Sequence, residues 1–113
     1  MKETLDPLDA LAVAGEHHTL LFEDDRVRVL DTLIRPGDRT AVHTHQWPSV
    51  HYVLSWSDFL RYDADDVVLL DSRSVAARPE AGTVLPGPPL SPHSLLNIGE
   101  RDLHVVSVEL KRG

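Results

Sequence analysis

Two stretches of the chain carry residues whose types and spacing suit chemistry. In GDRTAVHTHQWPSVHYVL, His43 and His45 stand two apart. On a β-strand, residues i and i+2 project from one face. Two imidazoles held that way suit two adjacent coordination positions of one metal ion. With seven histidines in 113 residues, such a pair arises by chance roughly 0.4 times. Requiring Gly37 six residues before His43 lowers that to roughly 0.02, so the glycine makes the pattern informative. Ser49 and His51 follow a Trp47-Pro48 break and share a strand face with each other. If their strand pairs antiparallel with the first, His51 points into the same space. In the second stretch, GTVLPGPPLSPHSLLNIG, Gly82, Pro88, His93 and the single asparagine, Asn97, stand in the register G-x5-P-x4-H-x3-N.

The elements that must position these residues read as short strands. Asp6-Pro7 is a helix-start signal, Leu8, Leu11 and Ala12 form an apolar stripe, and Gly15 is a stop. A short helix is therefore expected over about 7–14. Val27, Val29 and the run from Leu30 to Ile34 are β-prone and end at Pro36-Gly37. A strand leads through Ala41 to His45, and another runs from Val50 to Trp56. Phe59–Tyr62 and Val67–Leu70 flank the polar turn Asp63-Ala64-Asp65-Asp66, which predicts a hairpin. That turn lacks the spacing of a calcium loop. The segment 86–92, with four prolines, is not expected to form a central strand, because proline cannot donate to a ladder. Leu103 to Leu110 is the last strand. Many short strands separated by turn chemistry predict an all-β sandwich or barrel in one domain spanning 1–113.

Composition narrows the function. The formal charge is −7, which argues against a nucleic-acid or anionic-membrane binder, since both need a basic face. No apolar run approaches the roughly 18–20 residues that span a bilayer. The start, MKETLDPLDALAVAGEHH, is acidic and lacks a signal pattern, so a cytoplasmic location is expected. The absence of cysteine excludes disulfides, thiolate nucleophiles, zinc fingers and iron–sulfur clusters.

The two stretches resemble the two signature motifs of the cupin superfamily. That family's first motif reads G-x5-H-x-H, three or four residues, E, then x6-G, and its second G-x5-P-x-G-x2-H-x3-N. Gly37, His43 and His45 match the first, and Gly82, Pro88, His93 and Asn97 the second. Tyr52-Val53-Leu54 is similar to the usual continuation of the first motif. The resemblance implies a jelly-roll barrel, a double-stranded β-helix, with core over about 18–110 and both motifs facing its mouth. It implies one divalent metal ion (Fe, Mn, Zn or Ni) on His43, His45 and His93. The sequence departs from the motifs at three positions. Ser49 stands where the family has its metal-binding glutamate, and Trp56 and Leu90 replace motif glycines. A neutral three-nitrogen set leaves the complex one unit more positive and a coordination position free.

The remaining candidates follow from their neighbourhood. His51 is a candidate catalytic acid or base, a fourth ligand or a substrate hydrogen-bond partner. Trp47 is placed at the pocket mouth or in a dimer contact. Tyr52 and Phe59 read as core, with Tyr52 and Ser49 kept as candidate substrate contacts. Arg35, Arg39 and Arg61 flank the motif strands as solvated strand ends or as binders of a substrate carboxylate. Asn97 reads as structural and His104 as a surface or half-buried strand residue. His17 and His18 precede the barrel and are expected to face solvent. The expected function is a metal-dependent enzyme, dioxygenase- or isomerase-type, acting on a small organic acid or carbonyl metabolite. The alternative is a non-catalytic module holding a small molecule. Metal occupancy and activity are expected to fall together below about pH 6 as ligands protonate. A homodimer is expected, because a small barrel leaves sheet edges for a partner to cover.

Overall fold

The computed structural model describes residues 4–75 and 78–112. One helical turn, α1 (Ala10–Val13), precedes nine strands. They are β1 (His18–Glu23), β2 (Val27–Ile34), β3 (His43–His45), β4 (Ser49–Ser55), β5 (Phe59–Asp63), β6 (Val68–Asp71), β7 (Val84–Gly87), β8 (Leu90–Asn97) and β9 (Leu103–Leu110). They form a five-stranded sheet, β1-β2-β9-β4-β7, and a four-stranded sheet, β3-β8-β5-β6. All pairings are antiparallel. The architecture is the double-stranded β-helix of the cupin fold. The helix is shorter than its sequence pattern suggests. Its N-cap is Asp9, whose side chain accepts from the Leu11 amide, and not Asp6.

Alternation fixes which residues face inward. On β2, Arg28, Leu30, Thr32 and Ile34 are buried while Val27, Val29, Asp31 and Leu33 are half-exposed. β9 pairs with β2 along its whole length, from Val27↔Leu110 to Ile34↔Leu103. It turns Ser107 and Glu109 inward and His104, Val106 and Val108 outward. The two ends of the interior differ. Ile34, Phe59 and Leu103 form an apolar core with Trp56, Leu70 and Leu95 packed on it. The other end is lined by histidines, serines and one arginine–carboxylate group. A cleft of about 830 Å³ beside Trp56, Asp58, Arg78 and Arg101 contains none of the histidines.

Two motif glycines have backbone reasons. Gly37 at φ 83° and Gly82 at φ 90° occupy the left-handed region that a Cβ disfavours. Asn97 proves structural, as expected. Its Nδ2 donates to the carbonyls of Ile34 and Arg101, and its Oδ1 accepts from Ser57 Oγ and the Gly99 amide. The proline-rich segment departs from expectation, because Pro92 lies within β8, between two paired strands. It is tolerated because the β3–β8 register slips there. His43 pairs with His93 but His45 with Leu90, a bulge that needs no ladder donor from every residue. Among the described residues no helix is long and apolar enough to cross a membrane.

Candidate metal centre

Four imidazoles meet at the polar end of the barrel. β3 supplies His43 and His45, and the cross-strand pair His43↔His93 brings in the downstream motif. The ring centroids of His43 and His93 are 4.4 Å apart, and those of His45 and His93 5.7 Å. The fourth ring is His18, the first residue of β1. It lies 4.7 Å from His43 and 5.5 Å from His45, centroid to centroid. The ligand nitrogens of His18, His43 and His45 all lie within 4.8 Å of one another. The tightest triple therefore contains His18, while His93 sits beside His43. His18 was expected in solvent and is instead 4% exposed. The structural reason is the N-terminal segment. The Thr44 amide donates to the Leu8 carbonyl at 2.7 Å, which seats α1 against β3 and turns the following residue pair toward the cluster. His17, also expected in solvent, is instead half-buried: its Nδ1 is shut off from solvent and its Nε2 lies 3.4 Å from Asp38 Oδ2.

Each ring holds its Nδ1 against an acceptor. His18, His43 and His93 face the carbonyls of Ala14, Ala41 and Ser91 at 3.0, 2.7 and 2.8 Å. His45 faces Glu109 Oε2 at 2.9 Å. A nitrogen beside a carbonyl carries the proton, so the lone pair is left on Nε2. His43 Nε2 is buried and has no hydrogen-bond partner among the described residues. Burial and the neighbouring imidazoles keep His18, His43 and His93 neutral. Desolvation and His43 push the His18 pKa down to about 3. Desolvation lowers His43 to about 4, and desolvation with His43 lowers His93 to about 3. Neutral, pre-oriented imidazoles with a buried, unsatisfied nitrogen are the donor set a divalent transition metal takes.

A buried ionic group supports the cluster. Arg28 donates through Nη1 and Nη2 to both oxygens of Asp9, at 2.9 and 2.6 Å, and through Nε to Glu109 Oε1 at 2.7 Å. These hydrogen bonds outweigh desolvation and raise the Arg28 pKa. Glu109 thus joins Arg28 to His45, and carboxylates behind ligating histidines orient the ring and raise its basicity. Sequence reading missed both residues. The available signal was a charged side chain on the inward parity of an otherwise apolar strand, in VRVLDTLI and LHVVSVEL.

The other candidates divide between inside and outside. Ser49 and His51 point inward from β4. Ser49 Oγ lies 3.2 Å from His51 Nε2, and His51 Nδ1 lies 2.6 Å from Ser107 Oγ. His51 thus binds two hydroxyls and stands apart from the four rings. Desolvation, then His45, lowers its pKa. Tyr52, kept as a candidate substrate contact, faces away from the interior. It is 47% exposed, because it falls on the opposite parity of β4 to Ser49 and His51. Arg39 also lies outside, bonded to Ser94 and Asp66 and stacked 4.1 Å over Tyr62. Trp47, expected at a mouth or dimer contact, is buried, with the Arg28 guanidinium 5.0 Å over its ring.

Comparison with known proteins agrees with the fold. A cupin domain from Bordetella pertussis Tohama I superposes with a TM-score of 0.65 at 20% identity, covering 84% of this chain and 92% of that one. An uncharacterised double-stranded β-helix protein from Klebsiella pneumoniae gives 0.56 at 20% identity, covering 83% and 70%. An RmlC-like cupin family protein from Methanocaldococcus jannaschii gives 0.56 at 11% identity, covering 83% and 80%. No family model matches the sequence, and no curated protein matches it. The chain has the cupin fold with a histidine cluster at one end of its barrel.

Proposed function

We propose that this protein is a small cupin that binds one divalent metal ion per chain and uses it enzymatically on a small organic acid or carbonyl compound. His18, His43 and His45 would hold the ion through Nε2, with His93 beside them as the fourth imidazole. The observation that carries the reading is His43 Nε2, buried and unpartnered at the centre of the other three rings. A bound ion supplies Lewis acidity, and iron or manganese adds redox chemistry, which fits an isomerase- or dioxygenase-type reaction. The chain's own groups do the rest. Glu109, fixed by Arg28, orients His45. His51 is neutral at physiological pH, so it accepts a proton and does not donate one. Ser49 and Ser107 fix its ring between two hydroxyls. The absence of cysteine suits the cytoplasm, where disulfides are rare.

The test is cobalt titration of untagged protein, followed by its visible spectrum. One ion per chain is expected. His18→Ala, His43→Ala and His45→Ala should each weaken uptake about tenfold or more, and His104→Ala, on the outer face, should not. Equal uptake by all five proteins overturns the reading. A purified protein without metal that retains an organic molecule would instead mark a non-catalytic binding module.

We propose further that a second copy covers the outer face of the five-stranded sheet. Val106 and Val108 on β9 and Val50, Tyr52 and Leu54 on β4 all point out from it. Besides Tyr52, its titratable groups there among the described residues are Asp31 and His104, which are bonded to each other at 2.8 Å. With those two side chains tied to each other, two such largely apolar faces can meet about a two-fold axis, although the chain carries −7. Five strands about 4.8 Å apart and roughly 25 Å long give about 600 Å² per copy, or about 1,200 Å² per pair, the lower limit of specific interfaces.

A further inference from the structure

Arg61 is a half-buried cation on the inner side of β5, and no carboxylate pairs with it among the described residues. On β5, Phe59 points into the core, and Arg61, two residues on, takes the same face opposite Leu95, which packs on that core. Tyr62 points the other way, beneath Arg39. Leu95 stands two residues from His93 on β8, so Arg61 shares the strand face that leads to the histidines, and its charge acts on both His51 and His93. Its Nε is shut off from solvent with no hydrogen-bond partner, and no carboxylate pairs with it among the described residues. Arg28, the other inward arginine, is by contrast saturated by Asp9 and Glu109. Burial lowers the Arg61 pKa, but a guanidinium stays charged at neutral pH. A half-buried, unpaired guanidinium whose Nε is cut off from water offers its fork to an anion from outside.

We propose that Arg61 is the anion receptor of the barrel interior and binds the carboxylate of a small organic acid lying between β5 and the histidine cluster. The planar fork of a guanidinium matches a carboxylate through two parallel hydrogen bonds. The interior offers no second free cation among the described residues, and the planar fork meets a planar carboxylate in its own plane, which a tetrahedral oxyanion does not match. The inference rests on the metal reading only for the far end of the acid, which would reach the imidazoles.

The test uses oxalate and its neutral isostere oxamide, titrated calorimetrically into metal-free and cobalt-loaded protein. Metal-free wild type is expected to bind oxalate and not oxamide. Arg61→Met should weaken oxalate about tenfold or more in both forms, and Arg61→Lys should retain part of the affinity. Cobalt uptake by Arg61→Met should match wild type. Because the charge it removes is unpaired, Arg61→Met should also melt no lower than wild type. Oxalate binding that survives Arg61→Met, absence of oxalate binding to metal-free wild type, a lowered melting temperature in Arg61→Met, or equal binding of sulfate overturns the proposal. If wild type takes up no cobalt yet binds oxalate through Arg61, the metal reading fails and the anion site stands.

Discussion

Ser49 and Glu109 are cross-strand partners on β4 and β9. The carboxylate missing from the motif at position 49 therefore has a neighbour one strand away, turned toward Arg28 and the back of His45. A neutral nitrogen set backed by a buried carboxylate differs from a set that includes one. The negative charge orients a ring and does not occupy a coordination position. The depressed pKa values of His18, His43 and His93 set the acid behaviour. An unfolded histidine titrates near 6.5, and the folded rings at about 3 to 4. Between those values the unfolded chain binds protons that the folded chain does not, so stability rises with pH. It is full above about pH 6.5 and is lost as the pH falls toward 3, by up to about 1.4 kcal/mol per pH unit for each ring. Urea unfolding of metal-free protein at pH 7.5 and 5.0 should show a clear loss at the lower value, and equal stabilities would refute it. The expected loss of metal below pH 6 changes accordingly. These three folded rings resist protonation there, so acid should displace the ion by opening the structure.

At the scale of elements, β7 is the edge strand that lies closest to His51. A Cβ on Gly87 would come within 2.3 Å of His51 Nε2 and 2.7 Å of Ser49 Oγ. Gly87→Ala should therefore push the His51 ring off its serines or lift β7, at a cost of about 1–3 kcal/mol. The His51 imidazole resonances would report it, and unchanged shifts would contradict this packing. Much of this framework was legible in the sequence. β2 and β9 are β-prone runs, the Asp63–Asp66 turn joins β5 to β6, and the motif glycines Gly37 and Gly82 mark positive φ. β1 was not legible, because HTLLFE does not alternate and only its first residue is buried. His18 went with it, since its place depends on a helix turn docking against β3, which no local pattern encodes. Arg28 and Glu109 were hidden for another reason. They are far apart in sequence, and only the β2–β9 register, Arg28↔Glu109, makes them partners.

The whole molecule has an unusual distribution of polarity. Its polar end is inside and an apolar sheet face is outside, with Tyr52 47% and Val84 59% exposed. Light scattering coupled to size exclusion should therefore report a dimer at micromolar concentration. Val106 lies on the central strand opposite Asp31 and Tyr52. Val106→Asp would set like charges against each other across the two-fold axis and weaken association about hundredfold or more. A monomeric wild type would remove the second copy from that face.

The seating of His18 behind α1 has a mechanical consequence. An ion shared by His18, His43 and His45 ties the leading segment to the barrel wall, as a cross-link does. A chain without cysteine would thereby gain a staple that a chelator can unfasten. Proteolytic nicking ahead of β2 should accelerate on stripping the ion, while the apolar end of the barrel keeps its resistance.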